Sequence, residues 1–162
     1  MKNSSSPIAT DAQGADWVAS SSELRSVAIL AFTEGPAVDA EENVFFSDII
    51  NNRIMKLSNE GVVSVFRENS GRTNGNMFDR EGRLVSCEGS EMGPGGGRRV
   101  VRSNMKTGQV EALTERYQGS RYNSPNDLAI DLQGRIYFTD PCYGDKALME
   151  MKEEAVYRIE KD

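Results

Sequence analysis

The amino-acid sequence predicts an all-β fold, a β-propeller of which about three blades of four-stranded antiparallel sheets are present. Three observations predict it. One pattern occurs three times, short apolar runs separated by turn residues fill each copy, and no helical period of convincing length precedes residue 146. A repeat of roughly 40–50 residues made of short strands has the size of a propeller blade. Propellers typically close with roughly four to eight blades, so three blades indicate part of a larger propeller.

The repeats open near residues 33, 73 and 125, and each opening carries a polar side chain with an oxygen donor. Asn74 follows Glu34 by 40 positions, and Asn126 follows Asn74 by 52. Past a turn, each copy continues into an apolar run that ends in an acid, and these acids keep the same two intervals: Asp48, Glu88 and Asp140. Equivalent positions of successive blades converge on the central channel of a propeller. The three polar side chains should therefore meet there.

The strands are predicted from apolar runs, alternating or continuous, that end at turn residues. In the first repeat they lie at 36–39, 44–47, 53–57 and 62–66. In the second they lie at 76–79, 84–87, 99–102 and 109–113. The third repeat has them at 128–131, 136–139 and 155–159. The apolar run 27–32 is predicted to be a further, buried strand.

Two insertions account for the longer second interval. Residues 89–97 are rich in glycine. They have neither the G-x-G-x-x-G pattern after a strand nor the Lys-Ser/Thr of a phosphate-binding loop, so they are predicted to be a flexible loop. The other insertion carries residues 117–122 and lies between the last strand of the second repeat and the opening of the third.

Three further acids occupy equivalent positions just before the first turn of each repeat: Asp39, Asp79 and Asp131. Each precedes a turn that contains glycine or acidic residues. Aspartate at such a position bonds the backbone of its own turn. This pattern favours hairpin turn chemistry over catalysis for all three.

Composition excludes several classes of chemistry. The net charge is −6 and no basic stripe is present, so the sequence predicts no nucleic-acid partner. No histidine occurs, which excludes Ser-His-Asp and Cys-His catalytic units and histidine-based zinc sites from this chain alone. Cys87 and Cys142 lie in different repeats without C-x-x-C spacing, and they are predicted to be reduced thiols.

The organisation along the chain is predicted as a flexible leader, residues 1–23, followed by a partial propeller domain, residues 24–162. The leader lacks the apolar stretch of a secretory signal, and the best apolar run is far shorter than the roughly 20 residues of a membrane span. We therefore expect a cytoplasmic protein with no membrane partner. An open array of blades leaves strand edges unpaired, which predicts possible self-association through those edges.

Four segments resemble the senescence-marker-protein/gluconolactonase-like family. They are residues 32–36 (Phe-Thr-Glu-Gly-Pro), 72–75 (Arg-Thr-Asn-Gly), 123–127 (Asn-Ser-Pro-Asn-Asp) and 137–144 (Tyr-Phe-Thr-Asp-Pro-Cys-Tyr-Gly). The resemblance runs from about residue 27 to residue 160, in the order of the family. It implies a propeller that is six-bladed when complete. It also implies hydrolysis of sugar lactones and related esters at one central divalent cation.

Residue by residue, the resemblance implies that Glu34 is a metal ligand and that Asn126 lies beside the metal, as ligand or as substrate contact. Asn74 should line the floor of the same cavity and contact the substrate. Three further substrate contacts are implied at the rim: Arg121, Asp140 and Tyr143. The remaining ligands of the family are an Asn and an Asp from later blades. That Asp also acts as base or nucleophile, so the catalytic residue is expected beyond Asp162.

The donor types agree with this resemblance. One carboxylate with amide oxygens makes a hard-oxygen site suited to Ca²⁺, with Mg²⁺, Mn²⁺ or Zn²⁺ as alternatives. The leading hypothesis is a metal-dependent lactonase acting on a small-molecule lactone or ester. A phosphotriesterase-like or aryl-esterase propeller has the same metal and different pocket walls. A non-catalytic propeller that binds partners is the third hypothesis, and it gives no reason for Glu and Asn at the axis.

Overall fold

The structure, a computed structural model, describes residues 26, 30, 32–90 and 95–160. The predicted leader and most of the predicted strand at 27–32 lie outside the described residues. The prediction of an all-β fold is confirmed, because every extended element belongs to an antiparallel sheet. Across the described ranges, the helical content is one 3₁₀ turn, Lys146–Leu148.

Each repeat forms one blade, with its strands paired in chain order. The first blade consists of β1 (Thr33–Val38), β2 (Val44–Asp48), β3 (Arg53–Leu57) and β4 (Val63–Glu68). The second consists of β5 (Thr73–Phe78), β6 (Leu84–Glu88), β7 (Arg99–Ser103) and β8 (Val110–Thr114). The third consists of β11 (Leu128–Ile130), β12 (Ile136–Asp140) and β13 (Ala155–Ile159). The predicted blade boundaries therefore correspond to three separate sheets.

A short hairpin between the second and third blades was not predicted from the sequence. Its strands are β9 (Arg116–Tyr117) and β10 (Ser120–Arg121). Gln118 and Gly119 form its turn with φ values of 51° and 89°, as the two-residue turns of tight hairpins require. Strands of two residues are too short to show any periodicity, so the insertion gave no strand signal.

Apolar side chains fill the space between neighbouring blades, which makes the core a pair of inter-blade layers. Between the first and second blades, the Phe45 ring meets the rings of Phe66 and Phe78 edge-on, at centroid distances of 4.9 and 5.4 Å. Between the second and third blades, Tyr122 meets Phe138 in the same way at 5.0 Å. Edge-to-face geometry is favourable beyond the apolar area that it buries.

A buried ion network also joins the first two blades. Glu88, at the end of β6, is 2% exposed. It pairs with Arg67 from β4 at 2.8 Å and with Arg99 from β7 at 2.7 Å. Arg67 also donates to the carbonyl of Ser70 at 2.7 Å. Burial lowers the pKa of the Arg67 guanidinium, and its attraction to Glu88 acts in the opposite direction.

The hairpin turn chemistry of the three turn acids is confirmed. Asp39, Asp79 and Asp131 each accept backbone N–H groups two and four residues later, through one carboxylate oxygen. The other oxygen of Asp131 accepts from Arg135 at 2.6 Å. Loss of hydration by itself raises the pKa of Asp131, but the bonds from Arg135 and Gln133 outweigh it. The pKa of Asp131 therefore lies below its ordinary 3.8.

A pH-dependent stability follows for the third blade. A carboxylate whose pKa is lowered by folding stabilises the folded state above its unfolded pKa, and this contribution is lost as the pH falls through the folded value. Asp131→Asn should therefore be less stable than the parent at neutral pH, and the difference should shrink as the pH falls below 3.8. Urea unfolding over this pH range measures it. A difference that stays constant at every pH would contradict the prediction.

Both cysteines are free thiols, as the sequence predicted. Cys87 is buried in the layer between the second and third blades, and burial raises the pKa of its thiol well above the ordinary value. No helix in the described part of the chain is long and apolar enough to cross a membrane.

Candidate metal and substrate site

The innermost strands of the first two blades are bulged next to Glu34, which still pairs with Ser47, and at Asn74, which is skipped. Pairing of β1 with β2 shifts register between Glu34 and Ala37, and pairing of β5 with β6 shifts between Thr73 and Asn76. Both strands begin at the opening residue itself, three positions earlier than the predicted strands. A bulge leaves residues unpaired and re-aims the side chains beside it. Glu34 and Asn74 therefore lie at the irregular end of their strands.

Glycines allow the three openings to touch one another through their backbones. Gly35 has a φ of 54°, and a Cβ at this position would overlap the carbonyl of Asn74 and lie 2.7 Å from the Cα of Gly75. A Cβ on Gly75 would lie 2.8 Å from the carbonyl of Asn126. The Gly75 N–H donates to that carbonyl at 2.7 Å. The glycine that follows the polar residue is therefore what permits each blade to approach the next.

These contacts bring four of the predicted site residues to one cleft of about 850 Å³: Glu34, Asn74, Asn126 and Tyr143. Glu34 is exposed, whereas Asn74 and Asn126 are half-buried. The Tyr143 side chain is largely exposed beside the third opening. Oxygen donors from three successive blades thus line one concave surface.

Asp140 and Arg121 differ from their expected place at the rim, because neither lines this cleft. Asp140 is fully buried, and its carboxylate accepts the backbone N–H groups of Asn123 and Ser124 at 2.8 and 2.7 Å. Arg121 donates to the carbonyl of Gly97 at 3.1 Å. Both side chains hold loops near the cleft, and Asp140 anchors the segment that leads to Asn126.

Residues 32–162 match the SMP-30/Gluconolactonase/LRE-like region family. This match covers well over half of the chain. The chain belongs to this family.

Individual relatives agree with the family. The chain is similar to a gluconolactonase of Zymomonas mobilis, with 30% identity over 82% of this chain and 41% of the relative. It is also similar to the solved gluconolactonase XC5397 of Xanthomonas campestris, with 36% identity, a TM-score of 0.69, and coverage of 80% of this chain and 44% of that one.

A candidate gluconolactonase solved by the Northeast Structural Genomics Consortium matches with 31% identity, a TM-score of 0.72, and coverage of 84% of this chain and 48% of that one. This chain therefore spans less than half the length of these relatives. The chain shares its fold with the two solved structures.

The oxygen atoms that line the cleft suit a hard cation, and they would form one part of its ligand shell. Within the described residues, no group of three His, Cys, Asp or Glu side chains could hold a metal ion. The cleft instead offers the carboxylates of Glu34 and Asp127 and the amide oxygens of Asn74 and Asn126. Ca²⁺ takes roughly six to eight oxygen ligands, including carboxylates, amide oxygens and water. These donors therefore suit Ca²⁺ in type, and further ligands would complete the shell.

Sequence reasoning gave no site role to five polar residues that line the cleft: Arg72, Asn76, Ser90, Ser124 and Asp127. Ser124 accepts from the backbone N–H of Ser90 at 3.0 Å, which joins the loop after β6 to the third opening. Ser124 and Asp127 flank the Pro125-Asn126 pair of the family motif, so the motif itself carried a signal for both. Ser90 lies in the glycine-rich insertion, where no periodicity pointed to it.

Proposed function

We propose that this chain is part of a metal-dependent hydrolase of sugar lactones. The observation that carries the proposal is the convergence of Glu34, Asn74 and Asn126 on one cleft, in a chain that belongs to the SMP-30/gluconolactonase-like family. We further propose that residues 24–162 form a partial propeller domain that is six-bladed in the complete protein. The relatives named above support lactone hydrolysis as the reaction.

In this proposal Glu34 supplies the negative charge of the metal site, because it is the carboxylate that both lines the cleft and is implied as a ligand by the resemblance. Asn126 supplies a neutral oxygen beside it. A bound divalent cation would polarise the lactone carbonyl and acidify a water molecule. Asn74 and Tyr143 line the cleft with hydrogen-bonding groups that suit the hydroxyl groups of a sugar lactone. No residue of this chain is assigned to proton transfer, because the resemblance assigns that role to an Asp of a later blade.

The proposal is tested by measuring hydrolysis of glucono-1,5-lactone with the full-length protein that contains this chain. Added Ca²⁺ should raise the rate and a chelator should abolish it. Glu34→Gln keeps the shape of the side chain and removes its charge, so calorimetric titration should show a Ca²⁺ affinity about tenfold or more below that of the parent. Mg²⁺, Mn²⁺ and Zn²⁺ in parallel titrations identify the preferred ion.

Glu42→Gln is the matched control. Glu42 is an exposed residue of the first hairpin turn, outside the cleft, so its substitution should change neither affinity nor rate. Equal Ca²⁺ affinity of Glu34→Gln and the parent would remove Glu34 from the site. Hydrolysis of phosphotriesters or aryl esters in preference to lactones would move the assignment to those esterases. A parent without metal binding or activity would point to a binding module.

A further inference from the structure

Asn76 is a buried polar residue in the wall of the cleft. It is the first residue of β5 to resume pairing with β6 after the bulge, opposite Ser86. Its side chain is 7% exposed, although asparagine usually lies at the surface. A buried amide is costly unless its donors and acceptor are bonded. The partners of this side chain therefore indicate what it does.

The amide of Asn76 is bonded on every side. Its Nδ2 has two hydrogens and three acceptors within reach, so one N–H is shared: the carbonyl of Gly35 at 3.0 Å, Ser47 Oγ at 2.8 Å and the carbonyl of Asn74 at 3.2 Å. Its Oδ1 accepts from Ser86 Oγ at 2.7 Å. Because backbone carbonyls only accept, the Nδ2 atom must be the one that faces Gly35 and Asn74. The orientation of the amide is thus set by its surroundings.

The two carbonyls that Asn76 bonds belong to the two bulges. Gly35 lies where β1 skips its pairing with β2, and Asn74 lies where β5 skips its pairing with β6. A bulge leaves its backbone groups without ladder partners, and buried backbone groups need other partners. Asn76 supplies one to each bulge. Ser47 adds a second bond to the carbonyl of Asn74 at 2.7 Å.

We propose that Asn76 is a positioning residue that sets the separation of Glu34 and Asn74 across the cleft. Glu34 directly precedes Gly35, whose carbonyl Asn76 holds, and Asn74 is itself held through its carbonyl. One side chain therefore bonds to the backbone at Glu34 and Asn74, two candidate ligands from different blades. The consequence for metal binding rests on the proposed function, whereas the consequence for the backbone does not.

Hydrogen exchange of the Gly75 amide tests the backbone role. Gly75 lies between Asn74, whose carbonyl is held, and Asn76 itself, and its N–H donates to the carbonyl of Asn126. In Asn76→Leu the new side chain has a similar size and no hydrogen-bonding groups. Exchange at Gly75 should become about tenfold faster or more, because the bulges lose the bonds that hold them together. Ser86→Ala, which removes only the support of Oδ1, should give a smaller change at the same amide.

Asn43→Leu is the matched control. Asn43 is also buried, at 8% exposed, and donates to Asp39 at 2.8 Å in the first hairpin turn, away from the cleft. Its loss should destabilise the chain while leaving Gly75 protected relative to other amides. Equal relative protection of Gly75 in Asn76→Leu and Asn43→Leu would overturn the proposal. Should Asn76→Leu fail to fold, the comparison of Ser86→Ala with Asn43→Leu decides in the same way.

Calcium titration separates this proposal from the proposed function. Asn76→Leu should bind Ca²⁺ about 10–100-fold more weakly than the parent, as is usual when a group that orients a ligand is lost. Asn43→Leu should bind with unchanged affinity. A parent without Ca²⁺ affinity would count against the proposed function, and exchange at Gly75 would still decide the role of Asn76. A binding parent with equal affinity in Asn76→Leu would overturn the positioning role.

Discussion

Glu88→Gln should lower the free energy of unfolding by about 3 kcal/mol or more. The substitution keeps the shape of the side chain but removes the charge that pairs with Arg67 at 2.8 Å and with Arg99 at 2.7 Å. Arg67, whose side chain is only 13% exposed, would then lack its counter-ion, which costs far more than the loss of a surface pair. Urea unfolding of the purified variant measures the change.

Glu111→Gln provides the control for this prediction. Glu111 pairs with Arg102 at 2.7 Å in the same blade, but its side chain is 54% exposed. Water screens such a pair, so its loss should cost about 0–1 kcal/mol. Similar losses for the two variants would show that the burial of Glu88 does not set the strength of its network.

The second large effect is expected for Gly35→Ala. An alanine there would have a left-handed φ of 54°, and its Cβ would overlap the carbonyl of Asn74. Left-handed backbone alone costs a non-glycine residue about 1–2 kcal/mol. The overlap is with backbone, which moves only with its blade, so we expect a further cost of about 1–3 kcal/mol. Thermal or urea unfolding measures the sum.

Gly82→Ala separates the two contributions. Gly82 has a φ of 72°, and a Cβ there would have no neighbour within 4 Å. This variant should show the backbone cost without the overlap. If Gly35→Ala were no less stable than Gly82→Ala, the close approach of the first two openings would not be a constraint on the fold.

The hairpins and turns of this chain were predictable because their signals are local. Asp39, Asp79 and Asp131 bond amides within four positions of themselves, so sequence spacing alone contains the turn. The starts of β1 and β5 were not predictable, because glycine and proline interrupt alternation at a bulge and resemble the end of a strand. Bulged strands therefore appear shorter in sequence than in structure.

Long-range pairing explains the remaining differences at the site. Asp140 was expected at the rim, yet it lies two positions after buried Phe138, and alternate residues of a strand share one face. The alternation of β12 therefore carried a signal for its burial. The role of Asn76 had no such signal, since its partners Gly35 and Ser47 are 41 and 29 positions away.

The acids that end the second strand of each blade have a consequence for assembly. Asp48 pairs with Arg53 of its own blade, Glu88 takes Arg67 from the preceding blade, and Asp140 binds backbone amides. Blades of similar shape could stack in the wrong order while the chain folds. A third blade stacked directly on the first would present Asp140 to Arg67 in place of Glu88, and this shorter carboxylate is already bonded to the amides of Asn123 and Ser124. The charges therefore make the correct neighbour the favourable one, and they penalise a skipped blade before the propeller closes.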